Sequence, residues 1–172
     1  MKFVRISLLI LAFCLLFAGC GNANMDIELP EDSAFEPTEA PFSRGGVKFD
    51  LPEDFSDYSD LPLGQNYNFL YASSTMGIYG MMDIAGGLDE EISTLDTFVA
   101  AQAERRGVEA TKNENCWTFS YEDLEQNEPQ TFVCAIYEVD GCFWSIYAYC
   151  PTELFAENGD AMWRYITTPV FE

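Results

Sequence analysis

The chain contains no histidine. That absence removes Ser-His-Asp and Cys-His nucleophilic sets, His-based metal sites and an imidazole pH switch together. Basic residues are scarce: 8 Lys and Arg stand against 29 Asp and Glu, for a net charge of -21. Nucleic-acid binding needs clustered cations to neutralise phosphates, so that class is excluded. Anionic lipid headgroups repel such a body for the same reason. No glycine-rich phosphate loop is present, because Gly45-Gly46 and Gly86-Gly87 lack the flanking pattern of either nucleotide motif. No apolar run reaches the roughly 20 residues of a comfortable membrane span.

What is there begins at the first residues. Lys2 and Arg5 make a basic start, Ile6 through Phe17 is almost wholly apolar, and small Ala18 and Gly19 precede Cys20. This is the layout of a cleaved secretory signal peptide. The phrase Leu16-Phe17-Ala18-Gly19-Cys20 resembles the lipobox of bacterial lipoproteins. The resemblance implies cleavage between Gly19 and Cys20 and acylation of Cys20, with palmitate-like chains as the membrane anchor. Phe17 departs from the family, which prefers leucine there; Cys14 fits worse, because bulky Phe13 precedes it. Gly21 stands where an aspartate would signal inner-membrane retention in Gram-negative lipoproteins. Each buried methylene contributes ~0.8 kcal/mol, so two or three acyl chains hold a protein to a membrane almost permanently.

Three regions follow: residues 1–19 as signal peptide, 20–45 as lipidated cysteine and acidic flexible tether, and 46–172 as a folded α+β domain. The tether carries Pro30, Pro37 and Pro41, and acids from Asp26 to Glu39, with no apolar period. Such a segment buries too little apolar surface to offset its ordering entropy. A coil of this length spans roughly 25–30 Å rms, and like charges extend it. Without its leader the chain keeps 29 acids against 6 bases, a net charge near -23.

In the domain, Val47 to Leu51 reads as a first strand stopped by Pro52. Tyr67–Ser73 and Met76–Ala85 are apolar and β-prone on either side of Ser74-Thr75, a hairpin pattern. Ser93 or Thr94 caps a helix running to about Arg106, with Leu95, Phe98, Val99 and Ala103 on one face and Gly107 as its stop. Strands are expected at Cys116–Tyr121, Thr131–Val139 and Cys142–Cys150, then a helix from Thr152 to Thr167 and a short strand at Val170-Phe171. Asp140-Gly141 is a strong two-residue turn signal. It pairs Val139 with Cys142, Tyr137 with Trp144, Ala135 with Ile146 and Val133 with Ala148 on one face. Phe132, Cys134 and Ile136 then share the other face with Phe143, Tyr147 and Tyr149.

Both faces of that hairpin are apolar, so both need cover. The expected fold is an antiparallel β-sheet flanked by helices on both faces, an α/β/α sandwich. The order of an early Phe49-Asp50-Leu51-Pro52 segment, middle helix, three strands and C-terminal helix resembles the PsbP-like fold. That resemblance implies no catalytic residue, since its members have unrelated roles.

Two constellations carry chemistry. Cys116, Cys134, Cys142 and Cys150 lie in a domain read as exported, where disulfides persist. Cys142 and Cys150 sit ~27 Å apart on one strand, beyond bonding range. Taking Cys116 directly opposite Cys134 gives a Cys116–Cys134 bridge, with Cys142 and Cys150 as buried free thiols; four small apolar core residues are the alternative. Zinc is disfavoured, because no close CxxC pair occurs. Asp54, Asp57 and Asp60 recur every three residues, a weak candidate cation site against the reading of a solvated loop. Tyr147, Tyr149, Trp144, Trp117 and Trp163 are read as packing before ligand platform.

The expected function is a membrane-anchored extracytoplasmic lipoprotein that binds another envelope protein or polymer. It touches the membrane through its lipid only, needs no cofactor and performs no catalysis. A small-ligand or cation-binding module is the alternative, and an uncharacterised hydrolase ranks third.

Overall fold

The computed structural model describes residues 42–60, 67–124 and 128–172. The leader, Gly19, Cys20 and the tether up to residue 41 lie outside the described residues. The strands are β1 (Phe42–Arg44), β2 (Val47–Phe49), β3 (Ser56–Asp57), β4 (Phe69–Ala72) and β5 (Gly77–Ile84). Helix α1 (Leu95–Glu104) follows, then β6 (Thr111–Lys112), β7 (Trp117–Asp123), β8 (Gln130–Val139) and β9 (Cys142–Pro151). Helix α2 (Phe155–Thr167) and β10 (Val170–Phe171) close the chain.

The β8–β9 hairpin is the centre of a seven-stranded sheet ordered β3-β4-β5-β9-β8-β7-β6. Asp140 and Gly141 have φ of 52° and 75°. Left-handed backbone at both positions is what a type I′ turn requires, and it matches the twist of the strands it joins. The turn sets the expected register: Val139 opposite Cys142, Tyr137 opposite Trp144, Ala135 opposite Ile146, Val133 opposite Ala148. Every adjacent pair in the sheet is antiparallel.

Strand alternation then divides the core in two. Phe69, Tyr71, Ile78, Val133, Ala135, Trp144, Ile146 and Ala148 face one side and meet Met162, Tyr165 and Ile166 of α2. Leu70, Tyr79, Phe119, Phe132, Ile136, Phe143 and Tyr147 face the other and meet Phe98 and Val99 of α1. The helices thus cover opposite faces, as the two-sided hairpin demands. Tyr137 Oη donates to the Ile166 carbonyl at 2.7 Å, tying α2 to the sheet through a buried bond.

Both helices end for local reasons. The Thr94 hydroxyl accepts from the Thr97 amide while the Thr97 hydroxyl accepts from the Thr94 amide, so two orphan donors are satisfied at the start of α1. Gly107, at φ 66°, carries the chain out of α1, and Val108 N donates back to the Ala103 carbonyl at 3.1 Å. Thr152–Leu154 forms a 3-10 turn, so α2 proper begins three residues later than expected.

Strand β1 is the main addition to the sequence reading. It lies within the stretch assigned to the tether, yet Phe42 is buried against the Tyr71 ring, edge-on at 5.1 Å. Gly45 and Gly46 have φ of 64° and 82° and join β1 to β2 in a tight hairpin. β10 pairs with the other edge of β2, giving a small sheet ordered β1-β2-β10. This sheet covers the α2 side of the large one, where Phe49 meets Phe69 edge-on at 5.0 Å.

Two glycines of β5 make room for rings of neighbouring strands. A Cβ at Gly77 would lie 2.4 Å from the Tyr149 ring, and one at Gly80 would lie 2.3 Å from the Phe69 ring. Gly80→Ala is expected to destabilise by about 3 kcal/mol, the upper end of the overpacking range. Gly86→Ala, with nothing near its Cβ, is expected to stay within about 0.5 kcal/mol of wild type. Urea unfolding of the two variants checks the difference; equal midpoints would contradict the close ring approach.

Candidate functional site

The expected disulfide is corrected by register. Cys134 stands opposite Phe119, three positions from Cys116. An odd slip reverses faces. Cys116 therefore lies in the α2-side core and Cys134 in the α1-side core, and both are free thiols. Cys150 is buried and Cys142 half-buried, also free. Burial pushes the Cys116, Cys134 and Cys150 thiols up from their ordinary values. They are inert, small apolar residues in this setting.

The aspartate candidate is corrected by a competing cation. Arg44 of β1 hydrogen-bonds Asp60 and approaches Asp57 at 3.8 Å. Asp57 also accepts from the Ser59 amide at 2.8 Å and from its hydroxyl. Asp54 is an exposed turn residue. Two of the three carboxylates thus serve an internal arginine, which the sequence reading had placed in the tether. Among the described residues no three His, Cys, Asp or Glu side chains are grouped to hold a metal ion. The hydrogen bond from Arg44 holds the Asp60 carboxyl below its usual range.

The aromatic residues read as packing do pack, on opposite faces of the sheet. Trp144 is buried on the α2 side, and Tyr147 and Tyr149 on the α1 side. These rings pack rather than converge on solvent.

A different group emerges at the C-terminal end of α1. Arg106 folds back so that Nη1 donates to the Gln102 carbonyl and to Gln102 Oε1, each at 3.2 Å. Cations suit this end of a helix, where carbonyls lack partners. The guanidinium carbon lies 5.1 Å from the Tyr121 ring centroid and 5.4 Å from that of Tyr147. Tyr147 stacks on Tyr79 at 4.8 Å with planes 11° apart, and Tyr121 stacks on Phe132 at 4.9 Å. The rings come from β5, β7, β8 and β9, so the sheet fixes their spacing and the helix delivers the cation.

The electrostatics of this group are unusual for so acidic a chain. Among the described residues, the ion pairs involve Arg44 and Lys112, and no carboxylate pairs with Arg106. Burial pushes the Tyr79 and Tyr147 phenols well above their ordinary value. At Tyr121 burial also raises the phenol, outweighing the neighbouring guanidinium. The hydroxyls therefore stay neutral at physiological pH, and Arg106 is a cation without a carboxylate ion pair among the described residues, the Asp123 carboxylate acting on the Tyr121 phenol. Tyr147 is fully buried, and its hydroxyl has no hydrogen-bond partner among the described residues beyond the weak neighbouring thiol of Cys134. Sequence reading missed this group because its members are far apart in the chain. Strand parity alone places Phe119, Tyr121 and Tyr147 on one face, and the end of α1 lies over that face.

No family model matches the chain, and no curated protein matches it. Among solved structures it is similar to a protein of Bacteroides thetaiotaomicron, with 13% identity and a TM-score of 0.50, covering 74% of this chain and 45% of that one. The chain thus spans less than half the length of that protein. It is also similar to cyanobacterial PsbP (CyanoP) of Synechocystis, with 6% identity and a TM-score of 0.46, covering 74% of this chain and 87% of that one. A third similarity is to the Ran-binding protein Mog1p of Saccharomyces cerevisiae, with 13% identity and a TM-score of 0.44, covering 74% and 84% of the two chains. All three are likenesses of fold alone.

Two measurements check the chemistry of these residues. Alkylation of the unfolded, unreduced protein followed by peptide mapping is expected to label Cys116, Cys134, Cys142 and Cys150 alike; a linked Cys116–Cys134 peptide would refute the register. Alkaline titration tests the buried phenols. The unfolded chain loses tyrosine protons near pH ~10 while the folded chain retains those of Tyr79 and Tyr147, so stability falls as pH rises above that point. Tyrosinate absorbance is therefore expected to include a cooperative phase coincident with unfolding; smooth titration of all tyrosines before any loss of structure is the contrary result.

Proposed function

We propose that this chain is a lipid-anchored, extracytoplasmic binding protein of a bacterial envelope, acting as an accessory to another envelope protein or polymer. The carrying observation is the leader: a basic start, an apolar run and Ala18-Gly19 before Cys20. Cys20 is the acylated residue, and Gly19–Cys20 is the cleaved bond. The acidic segment behind it provides reach, and the acidic body stands off an anionic bilayer. Among the described residues no helix is long and apolar enough to cross a membrane, so the lipid is the attachment this reading relies on.

The body is read as a binder because a sequence without histidine lacks the Ser-His-Asp and Cys-His sets. A small-ligand reading is favoured by one observation, the Arg106–tyrosine group; its cation-binding form is not, since Asp57 and Asp60 serve Arg44.

Metabolic labelling of the native host with an alkynyl fatty acid tests the anchor. The wild-type protein is expected to carry the label and to partition into the detergent phase. Cys20→Ala is expected to lose both properties. An unlabelled wild type, or a labelled Cys20→Ala protein, overturns the proposal.

A further inference from the structure

We infer that Arg106, with the hydroxyls of Tyr121 and Tyr147, forms a binding site for an oxyanion, a carboxylate or phosphate group borne by a small molecule or partner. The inference rests on the binding role proposed above and is independent of the lipid anchor.

The argument begins with donors. A guanidinium carries five N–H groups in a planar fork. Nη1 is occupied by the carbonyl and side-chain oxygens of Gln102. Tyr121 meets the guanidinium through its ring face, 5.1 Å from centroid to carbon. Nη2 and Nε have no other acceptor among the described residues. A helix-capping role explains the Nη1 bonds and leaves the rest of the fork unspent.

Charge points the same way. A partly buried cation ordinarily recruits a carboxylate, and this chain has 29 to offer. Arg44 illustrates the ordinary outcome with Asp57 and Asp60. Arg106 instead lies against the faces of two tyrosines. Cation–π contact leaves the guanidinium charge in place, whereas an ion pair would cancel it.

A second, independent feature lies beside it. The Tyr147 hydroxyl is buried with no hydrogen-bond partner among the described residues beyond the weak Cys134 thiol, a costly state for a polar group. Its ring is one of the two that hold the guanidinium. A neutral phenol donor on a ring that holds an arginine fork without a carboxylate matches the needs of an oxyanion, which accepts several hydrogen bonds and supplies the missing charge. A cation is repelled here, and a purely apolar ligand leaves both deficits unresolved.

The test uses the full chain in nonionic detergent. Sodium phosphate and sodium acetate are titrated against sodium chloride at constant ionic strength, because salt in general stabilises so acidic a protein by screening. Two signals are followed: the Nε–Hε NMR resonance of Arg106 and the thermal midpoint. The expected result is a saturable shift of that resonance and a concentration-dependent rise in midpoint with phosphate or acetate beyond the chloride response. Which of the two saturates at lower concentration identifies the class of headgroup. Arg106→Gln is expected to lose the midpoint response. Tyr121→Phe keeps the ring but lacks the hydroxyl, and is expected to weaken binding about three- to tenfold; it serves if Arg106→Gln does not fold. No saturable resonance shift in the wild type, or an undiminished midpoint response in Arg106→Gln, overturns the site. Either failure leaves the acylation of Cys20 unaffected, so the two readings fall separately.

Discussion

Two ten-residue strands that present apolar side chains to both sides leave this chain no soluble arrangement until each side is covered. β8 and β9 impose that condition. Their joining turn needs left-handed backbone at two successive residues, and Asp140-Gly141 supplies it at modest cost. Once the turn is made, parity assigns every side chain to a face. The remaining elements then act as cover: α2 and the small sheet on one side, α1 on the other. Ring size is accommodated within the same plan, because Gly77 and Gly80 give up their side chains to Tyr149 and Phe69.

How much of this was legible follows from how each register is fixed. A two-residue turn fixes its hairpin outright, so β8–β9 could be read residue by residue. The β7–β8 connection is longer, and nothing in Glu122 to Pro129 chooses between neighbouring registers. A three-residue error there moved Cys116 to the wrong face and produced a disulfide that the sheet does not allow. Gly45-Gly46 is a turn signal of the same kind as Asp140-Gly141, but the acidic, proline-rich stretch before it draws the boundary between tether and domain through the middle of that turn. Phe42 is what distinguishes the end of that stretch from the rest. Strands β3 and β6 are two residues each and are defined by their neighbours rather than by their own composition. Helix α1 was legible because its cap, its apolar spacing and its glycine stop agree with one another.

The arginines show why a charge count cannot locate a site. The composition says that any cation here is outnumbered by acids, and predicts the environment of Arg44 well. It predicts the environment of Arg106 badly, because neighbours in space are set by the sheet. Tyr121 and Tyr147 come from β7 and β9, separated by β8, and the α1 terminus reaches across them. Local sequence around Arg106 contains none of this. The clue that did exist was parity, which collects several tyrosines on the face that α1 must cover.

The two covering layers are not equally secured. α2 buries Met162, Tyr165 and Ile166 and receives the Tyr137 hydrogen bond. α1 buries Phe98, Val99 and Ala103, and its main ring contact is Phe98 with Phe143 at 5.0 Å. Arg106 adds a polar pin at its C-terminal end, holding the last turn through Gln102 and the sheet through two phenol rings. The residue with unspent donors is therefore also a residue that seats the more weakly held helix. Any group that bonds this guanidinium in the folded state stabilises the docked helix by mass action. Occupancy of the site and closure of the α1 layer are then linked quantities, and the face of the sheet that carries the tyrosines is where binding would be felt by the rest of the molecule.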